Sequence, residues 1–85
     1  MEISEGSIVR SIAGRDKGGL FIVLSREGEY VFLANGELRK VDRPKRKKLK
    51  HIQGTNSVSE FVQNKISTVG KVTNSEVRKA LAEFS

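Results

Sequence analysis

The stretch GSIVRSIAGRDKGG, residues 6–19, decides how the rest of the chain is expected to fold. Its first half, residues 7–12, is short and rich in β-branched side chains, which is typical of a β-strand. Its second half, residues 13–19, interrupts the strand with Gly14, Gly18 and Gly19. Glycine adopts positive φ angles readily and lets other groups approach the backbone. The stretch therefore predicts a strand that ends in a tight charged loop, called the glycine loop (residues 13–19) below.

Further strands are predicted after the glycine loop. The apolar run at residues 20–25 and the segment at residues 30–34 have the length and composition of strands. Asn35-Gly36 is the strongest short signal for a hairpin, because a type I′ turn needs positive φ at both central positions. We therefore expect residues 37–41 to pair back on residues 30–34.

The predicted series ends with a strand at residues 48–53. It follows a bend at Pro44, which cannot donate a hydrogen bond to a strand ladder. About five short strands within about fifty residues predict a mainly β fold, a small SH3-like barrel. We expect Val9 to point into this barrel and Arg10 to point outward.

The last third of the sequence changes in character. We expect the barrel to occupy residues 1–54 and a short helical C-terminal extension to occupy residues 55–85. Ser57 and Glu60 fit a capping box, which predicts a first helix that ends near Gly70. Its apolar stripe would consist of Val58, Phe61, Val62 and Ile66.

A second helix is predicted at residues 74–84. Thr73 and Glu76 form another capping box, and Val72 and Val77 stand at the two positions of a hydrophobic staple. Helices this short are marginal in water on their own. Their apolar stripes must therefore pack on each other, on the barrel or on a partner.

The net charge of +6 is concentrated in one segment. Residues 39–50, called the basic segment below, hold eight basic residues against one acidic residue, a net charge of +7. Its cations are Arg39, Lys40, Arg43, Lys45, Arg46, Lys47, Lys48 and Lys50. So dense a charge favours a polyanionic partner, although a solvated charge run is the simpler alternative.

The composition argues against several classes of function. The chain has no cysteine and a single histidine, His51, so thiolate chemistry, a histidine-based metal site and a Ser-His triad have no residues to build them. No paired carboxylates stand in a catalytic arrangement. We expect a protein that is not an enzyme and that needs no cofactor, metal or small-molecule substrate. The absence of a long apolar run or of a signal-like start predicts a cytoplasmic protein with no membrane partner.

The pattern within residues 6–19, G-x-x-V followed by GRDKG and then at once by an apolar strand, resembles the KOW motif. KOW domains are SH3-like barrels of ribosomal proteins and transcription elongation factors. The wording VRSIAGRDKGGLFIV, with KHIQ later, is most similar to one branch of the family. That branch contains archaeal and eukaryotic large-subunit ribosomal proteins and small bacterial KOW-domain RNA-binding proteins. The resemblance covers residues 6–53 and implies contact with ribosomal RNA.

The resemblance implies a role for the glycine loop. Arg15 and Lys17, with Arg10 nearby, would present cations to phosphates, while Gly14 and Gly18 would let the backbone approach the RNA. The alternative is an ordinary hairpin loop whose glycines serve only the turn. Asp16 is expected to orient neighbouring cations or to cap the turn. Among the aromatic residues we expect Phe21 and Phe32 to be core and leave Tyr30 open as a base-stacking residue.

These observations predict an RNA-binding protein, either ribosomal or ribosome-associated, that contacts structured RNA mainly through its phosphates. RNA, with ribosomal RNA first, and ribosomal proteins are the expected partners. The alternative is a protein-interaction adaptor of the ribosome or the transcription machinery, in which the basic segment is only an auxiliary charge patch. DNA binding is allowed by charge alone.

Overall fold

A computed structural model of the chain describes residues 2–84. It contains a five-stranded antiparallel sheet followed by two helices, which confirms the mainly β prediction. The strands are β1 (Ser7–Ser11), β2 (Leu20–Glu27), β3 (Tyr30–Ala34), β4 (Lys45–Lys48) and β5 (Ile52–Val58). A 3₁₀ helix (Leu49–His51) links β4 to β5, and the α-helices are α1 (Glu60–Thr68) and α2 (Asn74–Phe84). Met1 and Ser85, the outer ends of the two predicted domains, lie outside the described residues.

The sheet is strongly curved. Its strand order is β4-β3-β2-β1-β5, so the two edge strands are consecutive in the sequence. In a flat sheet the outer strands would lie about 19 Å apart, four spacings of about 4.8 Å. The four residues from Lys48 to Ile52 span at most about 14 Å when fully extended. The 3₁₀ helix that joins them is shorter still, so the two edges must bend toward each other at this end.

The apolar side chains of the sheet are buried in two separate clusters, one on each face. Ile8 and Ile22 pack with residues of the helical region, namely Val62, Val72, Val77 and Ala80. The opposite face forms a second cluster made of Val9, Phe21, Val23, Val31, Leu33 and Ile52. Successive side chains of a strand point to opposite faces. This explains why β1 buries both Ile8 and Val9. As predicted, Val9 is buried and Arg10 is exposed.

The predicted strand at residues 37–41 is wrong. Asn35 does not adopt positive φ, so the type I′ turn does not form. Instead its side-chain Oδ1 accepts hydrogen bonds from the backbone N–H groups of Glu37 (3.0 Å) and Arg39 (2.9 Å). Residues 35–43 form a loop, called the 35–43 loop below, and β3 pairs with β4 instead.

The 35–43 loop is attached to the start of α2, which is a tertiary contact that a local turn rule cannot foresee. Arg78 Nη1 donates to the Gly36 carbonyl (2.7 Å), and the Val41 N–H donates to Asn74 Oδ1 (2.8 Å). Gly36 has a φ of +79°, and a Cβ there would stand 2.5 Å from the Asn74 carbonyl oxygen. Gly36 is thus required for close approach to the helix rather than for a hairpin.

The last predicted strand, residues 48–53, is also displaced. β4 ends at Lys48, and β5 begins at Ile52 and continues past residue 54 to Val58. Pro44 immediately precedes β4 and does not interrupt a ladder. His51 lies in the 3₁₀ helix rather than in a strand.

The first helix begins later than its predicted capping box. Ser57 is still part of β5, where it pairs with Ile8, so it cannot cap a helix. Ser59 is the N-cap, and its side chain accepts a hydrogen bond from the Val62 N–H. Of the predicted stripe only Val62 is fully buried, while Phe61 is 57% exposed.

The second helix agrees with the prediction in both bounds and capping. Thr73 Oγ1 accepts from the Glu76 N–H (3.1 Å), and Glu76 Oε1 accepts from the Thr73 N–H (2.9 Å). Val72 and Val77 are both buried in the cluster that covers the helical face of the sheet. This helix therefore docks on the sheet, one of the three possibilities that its apolar stripe allowed.

Candidate nucleic-acid interface

The glycine loop is a hydrogen-bonded turn at the end of β1. The Gly18 N–H donates to the Ser11 carbonyl (2.8 Å), and the Ser11 N–H donates to the Gly19 carbonyl (3.0 Å). Gly14 and Gly18 have φ angles of +77° and +91°. These two glycines adopt the conformations that were expected of them, because side chains of L-residues disfavour that region.

The cations of the glycine loop face solvent. Arg15 and Lys17 are exposed, and neither forms an ion pair with any residue in the described range 2–84. Arg10 is exposed as well, but its Nη1 donates to the Gly18 carbonyl (2.7 Å). Arg10 therefore supports the loop while its remaining guanidinium donors stay available.

Lys47 connects the basic segment to the glycine loop. Its residue is only 8% exposed, and its Nζ donates a 2.7 Å hydrogen bond to the Ala13 carbonyl. A buried ammonium is costly unless it is hydrogen-bonded. Lys47 therefore stabilises the interface from within, although its position in the basic segment predicts a residue that contacts RNA.

Asp16 and Arg39 form the second connection. Asp16 Oδ2 lies 3.0 Å from Arg39 Nη2, and the carboxylate is mostly buried. Asp16 thus orients a cation as expected, but one that lies 23 positions further along the chain. Within the described part of the chain, Arg39 Nε is a buried polar atom with no hydrogen-bond partner. The pair fixes the glycine loop against the 35–43 loop.

The cations of β4 point in different directions, as adjacent strand residues must. Arg46 and Lys48 are exposed, Lys45 is half-buried and Lys47 is turned inward. The remaining exposed cations of the basic segment are Lys40, Arg43 and Lys50. In residues 2–84 none of these three carries an ion pair.

An aromatic residue lies among these cations. The guanidinium carbon of Arg46 is 3.7 Å from the centroid of the Tyr30 ring, which is a stacked cation–π contact. The Lys48 Nζ is 6.0 Å from the same centroid. Phe32, expected to be core, is only half-buried and lies opposite Arg46 in the β3–β4 ladder. The outer face of β3 and β4 therefore combines aromatic rings with exposed cations.

The glycine loop and the basic segment together form one strongly cationic surface. They contain ten basic residues against Asp16 and Asp42, a net charge of +8. Asp16 is already engaged by Arg39, which leaves Asp42 as the remaining acid of this surface. Such a surface can attract phosphates over several ångströms and hold them by charge-assisted hydrogen bonds.

Residues 2–84 contain no group of three or more His, Asp or Glu side chains placed to hold a metal ion. No helix within the same range is both long enough and apolar enough to cross a membrane.

No protein-family model matches the chain, and no curated protein is significantly similar to it.

Proposed function

We propose that this chain is an RNA-binding module of the KOW type, which contacts structured RNA, foremost ribosomal RNA, through its phosphates. The observation that carries the proposal is the attachment of the glycine loop to the basic segment. Two contacts, Lys47 to Ala13 and Arg39 to Asp16, hold the two cationic regions side by side. The sequence had singled out both regions independently.

Some cations of this surface are bonded within the fold and others are exposed, and this difference supports a binding role. Lys47 and Arg39 are occupied by the fold, so they stabilise the surface instead of contacting a ligand. Arg15 and Lys17 remain exposed at the tip of the glycine loop. The further contacts come from the other cations of the basic segment, namely Lys40, Arg43, Lys45, Arg46, Lys48 and Lys50. Unpaired cations that lie close together on one surface repel each other, and the phosphodiester backbone of RNA would neutralise them.

The curved sheet supports the SH3-like part of the proposal. Its edge strands β4 and β5 are joined by a three-residue 3₁₀ helix, and both run antiparallel to their sheet neighbours. A barrel closed at that helix would place the cluster around Val9 and Val23 in its interior. The helices would then cover the outer face that carries Ile8 and Ile22.

The test is the affinity of the protein for ribosomal RNA fragments measured over a series of salt concentrations. Neutralising phosphates releases counterions, so the logarithm of the affinity falls linearly with the logarithm of salt. With about five phosphate contacts the expected slope is about −3.5 to −4.5. A flat dependence, or no binding at low salt, would overturn the proposal.

A double variant tests the role assigned to the glycine loop. Arg15→Ala with Lys17→Ala removes two exposed cations without removing a hydrogen bond that holds the loop. We expect weaker RNA binding and an unchanged melting temperature. Unchanged affinity would remove the loop from the interface.

A protein-interaction adaptor is the second candidate, and an apolar patch favours it. Val58 and Phe61 are 40% and 57% exposed. They line one groove with Phe84 on the helical side of the molecule. Partners captured from nuclease-treated extract, and lost in a Phe61→Ser variant, would favour this function. Sedimentation with ribosomes that is abolished by ribonuclease would favour RNA binding.

A further inference from the structure

A pocket beside Tyr30 has the composition of a nucleotide site. It has a volume of about 310 Å³ and is lined by Glu29, Tyr30, Lys48, Leu49 and Lys50. That volume is at the lower end of the range of small-ligand pockets, about 300–1,000 Å³. Its walls combine an aromatic ring, an aliphatic side chain and two cations. A flat base and a charged phosphate require the same combination.

The Tyr30 ring is held in place before any ligand arrives. Arg46 stacks on it at 3.7 Å, and Lys48 lies directly opposite Tyr30 in the β3–β4 ladder. Arg46 precedes Lys48 along β4, whereas Leu49 and Lys50 follow it. The pocket, lined by Lys48, Leu49 and Lys50, therefore lies toward the 3₁₀ helix. A ring fixed in this way loses little conformational entropy when a base stacks on it.

The floor of the pocket is fixed as well. The Leu49 N–H donates a 2.8 Å hydrogen bond to the Glu29 carbonyl, which ties the 3₁₀ helix to the turn between β2 and β3. Lys50 is exposed and unpaired among the described residues. Its ammonium and that of Lys48 can bind a phosphate by donating hydrogen bonds to it, while the Glu29 carboxylate repels a phosphate. The charges thus orient a nucleotide with its phosphate at the lysines and its base against Tyr30 and Leu49.

We propose that this pocket binds one unpaired nucleotide of the RNA, with its base stacked on Tyr30 and its phosphate at Lys48 and Lys50. The inference rests on the proposed function and adds to it. The glycine loop and the rest of the basic segment hold phosphates of any sequence, whereas the pocket selects a place where a base is free of pairing. The module would then recognise a bulge or loop next to a helical stem.

The chain offers a site-specific reporter for this proposal, because Tyr30 is its single tyrosine and it has no tryptophan. The probes are an RNA duplex with one bulged guanosine and the same duplex with an abasic ribose at the bulge. Both carry the same phosphates. We expect the guanosine bulge to bind roughly tenfold more tightly, a difference of about 1.4 kcal/mol, because only its base can stack on the ring. Only that probe should quench the tyrosine fluorescence.

Two variants at position 30 complete the experiment. Tyr30→Phe keeps the ring and should retain the tenfold preference, whereas Tyr30→Leu should bind both probes equally. Equal affinity of the unmodified protein for both probes, without quenching, overturns the pocket and leaves phosphate binding intact. Failure to bind either probe overturns the pocket and the proposed function together. The fluorescence measurement uses the unmodified protein, so it decides the question even if Tyr30→Leu fails to fold.

Discussion

Asp16 and Arg39 form an ion pair with an Oδ2–Nη2 distance of 3.0 Å, and this contact joins the glycine loop to the 35–43 loop. The acid therefore has a positioning role within a cationic surface. Without the carboxylate, the Arg39 guanidinium would lose its anchor, and the glycine loop would be held by its own hydrogen bonds, by Arg10 and by Lys47.

Asp16→Asn separates positioning from charge. The substitution raises the net charge by one, so charge alone predicts tighter RNA binding. We expect a fall of about fivefold instead, equivalent to about 1 kcal/mol, because the two loops separate. Asp42→Asn is the matched control: it makes the same change of charge at an exposed acid that has no ion pair within residues 2–84, and it should tighten binding slightly. Tighter binding in both variants would show that only the net charge of the surface matters and that Asp16 does not position the loops.

Replacing Lys47 by methionine should lower the stability of the fold, whereas replacing its neighbour Lys48 should weaken RNA binding. Lys47→Met removes the buried hydrogen bond to Ala13 and should lower the free energy of unfolding by about 1.5–3 kcal/mol. Lys48→Met removes an exposed cation and should change stability by less than about 0.5 kcal/mol, while RNA binding weakens. Chemical denaturation and binding titrations measure the two effects. Equal stabilities would mean that Lys47 does not hold the loop.

Gly36 and Gly28 provide a matched pair for the contact between the 35–43 loop and α2. Both have positive φ, so alanine at either position should cost about 1–2 kcal/mol from backbone strain. A Cβ at Gly28 meets no atom within 4 Å, whereas one at Gly36 would stand 2.5 Å from the Asn74 carbonyl oxygen. We expect Gly36→Ala to lower the melting temperature clearly more than Gly28→Ala. Similar losses would argue against close docking of α2 on this loop.

The capping box of α2 should give the fold a measurable acid sensitivity. The side-chain hydrogen bond from Lys65, followed by the backbone N–H of Thr73, holds the pKa of Glu76 below its ordinary value. A carboxyl whose pKa is lower in the folded state contributes stability above its unfolded pKa and loses it as the pH falls through the folded pKa. Glu76→Gln keeps an acceptor for Thr73 but cannot ionise. Its stability should lie below that of the unmodified protein at neutral pH and converge with it in acid, and a constant difference would contradict this account.

Local signals in the sequence predicted the parts of the fold that depend on neighbouring residues. The capping box at Thr73 and Glu76 located the start of α2, and the β-branched and apolar runs located β1, β2 and β3. Gly14 and Gly18 adopt the positive φ angles that a tight loop needs.

The errors arose where tertiary contacts override a local rule. Asn35-Gly36 has the signature of a hairpin, but the Asn35 side chain closes a wider loop, and Gly36 packs against Asn74 of α2. A hairpin at Asn35-Gly36 places residues 37–41 beside β3, which hides the true partner strand, β4, within the basic segment. The stacking of Arg46 on Tyr30 could not be predicted without that register. The inward turn of Lys47 has no signal in a run of adjacent cations.

The most direct test of the central claim compares two single substitutions of exposed lysines, Lys17→Ala in the glycine loop and Lys79→Ala on α2. Both remove one positive charge, and neither lysine has an ion pair in the described part of the chain. The measurement is the slope of log affinity against log salt for one ribosomal RNA fragment. Lys17→Ala should reduce the steepness of the slope by about 1, while Lys79→Ala should leave it unchanged. Equal slopes for the two variants would contradict an RNA interface built on the glycine loop.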